Sequence, residues 1–251
     1  MKAKISIESV NYQIDFNKPI DISIPLRSGV NNPIAWYTTP PKIEAEYDDD
    51  WIGSVAEGGS INFNKITFNP HAHGTHTECL GHITRKKISI QDCLKTFMFP
   101  AELISIAPKK INGDLQITKD QFEEYDEELD NVSTIVIRTV PNKDSKLTQQ
   151  YQNTNWPYLT GEAAEYLVSK GIDHILIDLP SIDKEKDQGK LTAHQAFWQL
   201  KGEQRNHATI TELIYVPDQI VDGTYLLNLQ IVSFVNDASP SKPVLYAIEN
   251  L

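Results

Sequence analysis

The chain has 251 residues, 40% of them hydrophobic, and a formal net charge of −11. That length and apolar share suffice for a sizeable core in one large domain or two small ones. The acidic balance argues against nucleic acid and anionic membrane surfaces as partners, because both select for basic patches.

In chain order, "AKISIES" and "IDISIPL" alternate apolar and polar residues, as half-buried strands do. The start, MKAKISIESV, lacks the apolar core of a signal peptide. Residues 28–60 are rich in Gly, Pro, Asn and Asp, with Trp36 and Trp51 embedded, and read as a long irregular stretch of the kind that often carries function. From residue 117 the pattern changes. In "ITKDQFEEYDEELD", Thr118 and Gln121 have capping-box spacing and predict a helix. "VSTIVIRTV" follows as a buried strand, "TGEAAEYLVSKG" as a helix closed by Gly171, and "DHILIDLP" as a further strand. Strand, helix, strand in this order predicts a crossover and a partly parallel sheet. "ATITELIYV", "TYLLNLQIVSF" and "KPVLYAIE" read as three closing strands. No linker-like composition divides the chain, so the expectation is one mixed α/β domain over 1–251, strand-rich with a few helices. Cys79 and Cys93 do not form a disulfide framework and are expected to stay reduced, as in the cytosol. The apolar runs are too short to span a bilayer, which gives a soluble cytoplasmic protein as the expectation.

The conspicuous stretch is "NPHAHGTHTECLGH", residues 69–82, which holds four of the seven histidines and one glutamate. A lone histidine is more often a surface or satisfied core residue than a ligand. Four so close together predict a metal site, because neutral imidazole binds transition metals and its pKa of about 6.5 leaves it mostly neutral at pH 7. Imidazole with carboxylate suits zinc, manganese or iron better than magnesium or calcium. Gly74 permits a tight turn. If the chain runs extended after it, His76 and Glu78 share one side, and His82 shares their parity, while Thr75 and Thr77 face the other way. Cys79 beside Glu78 is a further candidate ligand, although such a cysteine is more often a small buried hydrophobe.

Two candidates lie downstream. In "LTAHQAFWQL", Thr192 and Gln195 have capping-box spacing, which places His194 in the first turn of a helix. The positive end of the helix dipole would keep it neutral, as a ligand must be. Glu212 sits inside the apolar strand "ATITELIYV", where it either faces water or has a partner.

These residues carry a resemblance. "GTHTECLGH" resembles the signature His-x-Gly-Thr-His-x-Asp-x-Pro-x-His of the cyclase family of metal-dependent hydrolases, which includes bacterial kynurenine formamidases and isatin hydrolases. The likeness continues through "STIVIRT", "TGEAAEYLVSKGIDHILIDLPSID", "TAHQAFW" and the closing block from "TITELIYV" to "PVLYAI", roughly residues 15–250. It implies a swivelling β/β/α-like fold. It implies His76 as a ligand, Glu78 in place of a ligand aspartate able to bridge two metals, and His82 as the general acid or base. His194 and Glu212 would complete a second metal position. The sequence departs from the signature at its first histidine, where Ala72 stands, and at its proline, where Leu80 stands. His71 or His73 would supply the missing ligand. Pro70 fixes a rigid approach that favours His71, whereas a tighter turn would present His73.

The resemblance implies hydrolysis of a small amide, formamide or cyclic amide by metal-activated water, with one or two zinc or manganese ions per chain. The site would match that of an arylformamidase of the N-formylkynurenine type. A lactonase or cyclic-imide hydrolase could use the same site, and a binding protein that has lost turnover is the alternative from another class. A homodimer or tetramer is implied in the same way, with a small molecule as substrate and neither nucleic acid nor membrane as partner. Ser181 and Asp183 in "DLPSID" either hydrogen-bond a ligand histidine or serve the local turn and cap. Trp36, Trp51 and Trp156 are candidates to wall an aromatic substrate.

Overall fold

The computed structural model describes residues 1–7 and 10–251. Glu8 and Ser9, the end of the first expected strand, lie outside the described residues. The main sheet contains β1 (Lys2–Ile7), β2 (Val10–Asp15), β3 (His76–Cys79), β4 (Met98–Ile106), β5 (Thr134–Thr139), β6 (His174–Ile177), β7 (Thr209–Glu212), β8 (Gly223–Ile231) and β9 (Ala238–Asn250). The helices are α1 (Ile90–Cys93), α2 (Lys119–Glu123), α3 (Asp126–Leu129), α4 (Gly161–Ser169) and α5 (Thr192–Phe197).

Strands β9, β8, β4, β5, β6, β7 and β3 pair in that order, and β3 pairs back onto β9, which closes a barrel. Its four central strands, β4 to β7, are parallel. The β5–α4–β6 crossover supplies one of these parallel pairs, as the strand–helix–strand order predicts. The outer pairings are antiparallel, and the β1–β2 hairpin extends the sheet from the far end of β9. "IDISIPL" yields only the short strand Ile20–Asp21 against β9.

Both faces of the parallel strands are apolar because both are covered. Val136 and Leu176 point into the barrel with Leu103, Leu227 and Leu245. Ile135, Ile137, Ile175 and Ile177 point outward and pack with Leu167 of α4 and Phe197 of α5. Helix α4 starts at Thr160, whose hydroxyl accepts the Ala163 N–H, and ends at Gly171 with φ 77°. The capping box at Thr118 is present, but the expected single helix over 117–130 breaks at Tyr125 into α2 and α3. Residues 28–60 are largely irregular as expected, with short strands that pair Lys42–Ala45 with Asn64–Thr67 and Tyr47–Asp48 with Trp51–Ile52, and a single helical turn at Val55–Glu57. Among the described residues no helix is long and apolar enough to cross a membrane.

Candidate metal centre

The site lies on the outer face of β3 and β7, where the start of α5 approaches. In strand β3 alternate side chains point to opposite sides. Cys79 packs into the barrel interior, and the Thr77 hydroxyl meets Thr211 Oγ1 at 2.8 Å. His76 and Glu78 take the other face. Pairing sets Glu212 of β7 directly across from His76, so two polar residues 136 positions apart become neighbours. Thr75 is turned away: its hydroxyl donates to Leu213 O and accepts the Ile24 N–H.

Gly74, with φ 74°, makes the turn before the strand. The loop ahead of it presents His71 to the cluster. His71 Nδ1 lies 2.9 Å from Glu78 Oε2, and Nε2 lies 2.8 Å from Asp237 Oδ2. His73 goes elsewhere. Its Nδ1 accepts the Asn69 N–H and its Nε2 is 3.0 Å from Thr38 Oγ1, so both ring nitrogens are used within the loops. The two histidines that the sequence leaves as alternatives are thus separated in space, and only His71 joins the cluster.

His194, in the first turn of α5 as expected, closes the opposite side. Its Nε2 lies 3.0 Å from Glu78 Oε1 and its Nδ1 2.5 Å from Asp183 Oδ2. Two expectations about this helix need correction. The cap is not Thr192, because the residue before the helix is Leu191 with φ 45°. Asp183 caps the helix from outside, accepting the N–H groups of Ala193 and His194. Nor does the helix end keep His194 neutral. Burial opposes its charged form, but the hydrogen bonds to Asp183 and Glu78 prevail and push its pKa up to about 10. A six-residue helix has a weak dipole beside two contacting carboxylates. Asp183 therefore bonds a cluster histidine and serves as the cap. Ser181 does only local work: its Oγ accepts the Asp183 N–H, and among the described residues it makes no bond to a histidine.

His82 stands at the solvent edge, its side chain 31% exposed. Its Nε2 is 3.8 Å from Glu78 Oε2 and its Nδ1 3.4 Å from Asp237 Oδ2. Its ring stacks on His71 at 4.3 Å. Glu212 Oε1 accepts the Ile182 N–H, which leaves Oε2 facing His76. Asp237 was missed by sequence reasoning. It lies 155 residues beyond His82, and nothing in its local spacing distinguishes it from an ordinary turn residue.

The electrostatics follow from this geometry. Burial resists charge on His71, but Asp237 and Glu78 outweigh it and raise its pKa to about 10. Burial alone would raise Glu78, yet the surrounding imidazoles His82, His194 and His71 hold it well below the usual carboxylate range. Without an ion the cluster is thus knit by imidazolium–carboxylate pairs. An entering metal would displace protons from His71 and His194.

The donor set fits a metal. His71, His76 and Glu78 each bring one donor atom within 4.8 Å of the others, and so do Glu78, His82 and His194. The most telling atom is His76 Nε2. It is buried and, among the described residues, makes no hydrogen bond: Glu212 Oε2 is 3.4 Å away but not aligned for one. A buried imidazole nitrogen left unpaired calls for a partner.

Of the tryptophans, Trp156 is buried, donates Nε1–H to Asp183 O, and meets Trp36 edge-to-face at 5.0 Å. Trp156 is thereby tied to the backbone of Asp183, the residue that bonds His194. Trp51 packs against Phe63 in the hairpin segment instead. Cys79 is wholly buried with its thiol toward Ile88 O, so it offers no ligand to the site.

Comparison with known proteins follows the same lines. The family model Cyclase matches residues 20–184. The chain is 29% identical over 231 residues to the kynurenine formamidase of Bacillus cereus, covering 91% of this chain and 97% of that relative. Its fold is similar to that of an isatin hydrolase solved with the product analogue thioisatinate, with a TM-score of 0.67 at 18% identity over 92% of this chain and 93% of that one. A potential metal-dependent hydrolase with cyclase activity gives 0.65 at 19% identity, over 91% and 97%.

Proposed function

Because the chain belongs to the Cyclase family, we propose that it is a metal-dependent hydrolase of a small non-peptide amide, with a formamide as the favoured substrate. The observation that carries this reading is the gathering of His71, His76, His82 and His194 around Glu78, with Glu212 facing His76 and with His76 Nε2 buried and lacking a hydrogen-bond partner among the described residues. The formamidase name of the Bacillus cereus relative supports the choice of a formamide.

His71, His76 and Glu78 would hold one divalent transition metal. His194 and Glu212 would hold a second or orient the first, with Glu78 between them. Histidine and carboxylate donors suit zinc or manganese. Such an ion would lower the pKa of a bound water into the neutral range and polarise a carbonyl oxygen.

The remaining chemistry belongs to the chain. His82 is the most exposed imidazole of the cluster, so its ring is the one open to a substrate entering from solvent. In this reading it moves a proton to the leaving nitrogen, which an amide needs before its C–N bond breaks. Asp183 holds His194 through Nδ1, which turns Nε2 toward Glu78. The hydrophobic packing under β3 and β7 keeps these groups fixed. The substrate is a small molecule, and a homodimer or tetramer is the proposed assembly.

The test is hydrolysis of formanilide by purified protein, before and after removal of metal by a chelator and again with zinc or manganese restored. The proposal expects turnover that disappears and returns. Turnover that persists at full rate in metal-free protein would refute it.

A further inference from the structure

Asp237 stands outside the clustered motif, yet it touches the cluster at two points. It immediately precedes β9, and the backbone around it is pinned. Its carbonyl accepts the Cys79 N–H of β3, and the neighbouring Asn236 carbonyl accepts the Ile90 N–H at the start of α1. The chain carrying His82 is pressed against it. A Cβ placed on Gly81 would lie 2.2 Å from Ile88 O and 3.2 Å from Asp237 Cβ. Only glycine lets the turn Leu80–Ile83 come this close, and the next residue is His82.

A single carboxylate oxygen then serves two rings. Oδ2 is 2.8 Å from His71 Nε2 and 3.4 Å from His82 Nδ1. An imidazole that donates Nε2–H to a carboxylate keeps its lone pair on Nδ1. For His71 that is the nitrogen beside Glu78, on the inner side of the cluster. For His82 the approach is a looser ion-pair contact at 3.4 Å, which turns Nδ1 toward Asp237 and leaves Nε2 on the cluster side, 3.8 Å from Glu78 Oε2. The arrangement mirrors Asp183 on His194, so each flank of Glu78 has a carboxylate behind its histidine.

We propose that Asp237 is a positioning residue for two imidazoles at once, aiming Nδ1 of His71 at the metal position and Nε2 of His82 at the leaving group. It thereby lets His71 act where the family signature has its histidine one residue later, at Ala72. This rests on the hydrolytic reading above.

The test compares Asp237→Ala and Asp237→Asn with the unaltered protein. Zinc affinity is measured by competition with a chromophoric chelator. At saturating zinc, kcat and KM are measured for formanilide, whose nitrogen must be protonated to leave, and for phenyl formate, whose phenoxide need not be. For Asp237→Ala the zinc dissociation constant should rise about 10–100-fold, the usual effect of losing a carboxylate behind a ligand histidine. The kcat for formanilide should fall about 10²-fold, as when a general acid is misplaced, and that for phenyl formate less than about tenfold, with KM little changed in both. Asp237→Asn, which keeps one accepting oxygen and tests the same point without a cavity, should lie between.

Equal losses on both substrates would reduce Asp237 to a general structural role and overturn the proposal. So would unchanged zinc affinity, and so would loss of zinc beyond about 10³-fold, well past the effect of an outer partner, which would make Asp237 itself a ligand. If the unaltered protein with zinc hydrolyses neither substrate, the hydrolytic reading fails and the His82 half falls with it. The zinc measurement then still decides the His71 half.

Discussion

Replacing Asp183 by alanine removes three contacts at once. The carboxylate accepts the N–H groups of Ala193 and His194 at 2.8 and 3.1 Å, and it meets His194 Nδ1 at 2.5 Å. Losing a helix cap typically costs about 0.5–2 kcal/mol. Breaking a buried charged pair costs about 3–5 kcal/mol, because the remaining partner is left uncompensated. Both members here are almost wholly buried, and on losing Asp183 His194 keeps Glu78 at 3.0 Å and the more distant Glu212 at 3.9 Å. The contacts overlap, so the sum is not additive. Asp183→Ala should therefore lose about 3–5 kcal/mol of unfolding free energy. That is a large part of the roughly 5–15 kcal/mol typical of a domain. The assay is urea unfolding in the presence of a chelator, so that metal binding does not enter. Asp183→Asn should lose less, since an amide oxygen still accepts a backbone N–H. With metal present, Asp183→Ala should also bind zinc about 10–100-fold more weakly. A variant within about 1 kcal/mol of the unaltered protein, the size expected of a cap alone, would show that the Asp183–His194 pair does not hold this flank.

Two further outcomes follow from the same geometry. His71→Ala should reduce metal affinity sharply, whereas His73→Ala, whose ring bonds Asn69 and Thr38 in the loops, should leave metal affinity near that of the unaltered protein and show its effect as lost stability; equal metal losses in a zinc titration would contradict this separation. His174 is buried beside Thr209 and Phe99, and burial lowers its pKa to about 4. Its folded pKa lies below the unfolded value of about 6.5, so the unfolded chain binds the extra proton first. The stability that the neutral ring confers is present above about pH 6.5 and drains away as pH falls toward 4. His174→Gln should therefore lose about 2 kcal/mol less stability than the unaltered protein between pH 7 and 4.5, and parallel acid limbs for the two would contradict it.

The legible part of this site is its compact part. Residues 71–82 announce themselves by residue type, and period-two alternation places His76 and Glu78 together because β3 really is extended there. His194 and Glu212 stand out in sequence as candidates, but that they join the cluster is implied only by the family resemblance, since Glu212 reaches His76 because β7 lies beside β3. The fold class is likewise legible, because covered parallel strands leave continuous apolar runs such as "TIVIRT" and "HILI". Barrel closure is not, because it rests on three residue pairs between β3 and β9 that no local pattern encodes. Capping from a distance is equally silent: Thr192 has the right spacing, but Asp183 reaches the helix end through the turn at Ser181. Asp237 escapes for the same reason, being placed by the barrel seam.

The most direct test of the account is the metal content of purified protein and of His76→Ala, measured by elemental analysis. His76 supplies a buried nitrogen with no hydrogen-bond partner among the described residues, so its removal strikes the site without breaking a hydrogen bond at that atom. The unaltered protein should carry one or two transition-metal ions per chain. Most of that metal should be lost in His76→Ala, together with formanilide hydrolysis. Unaltered protein that binds no transition metal, or a His76→Ala variant that keeps both its metal and its turnover, would contradict it.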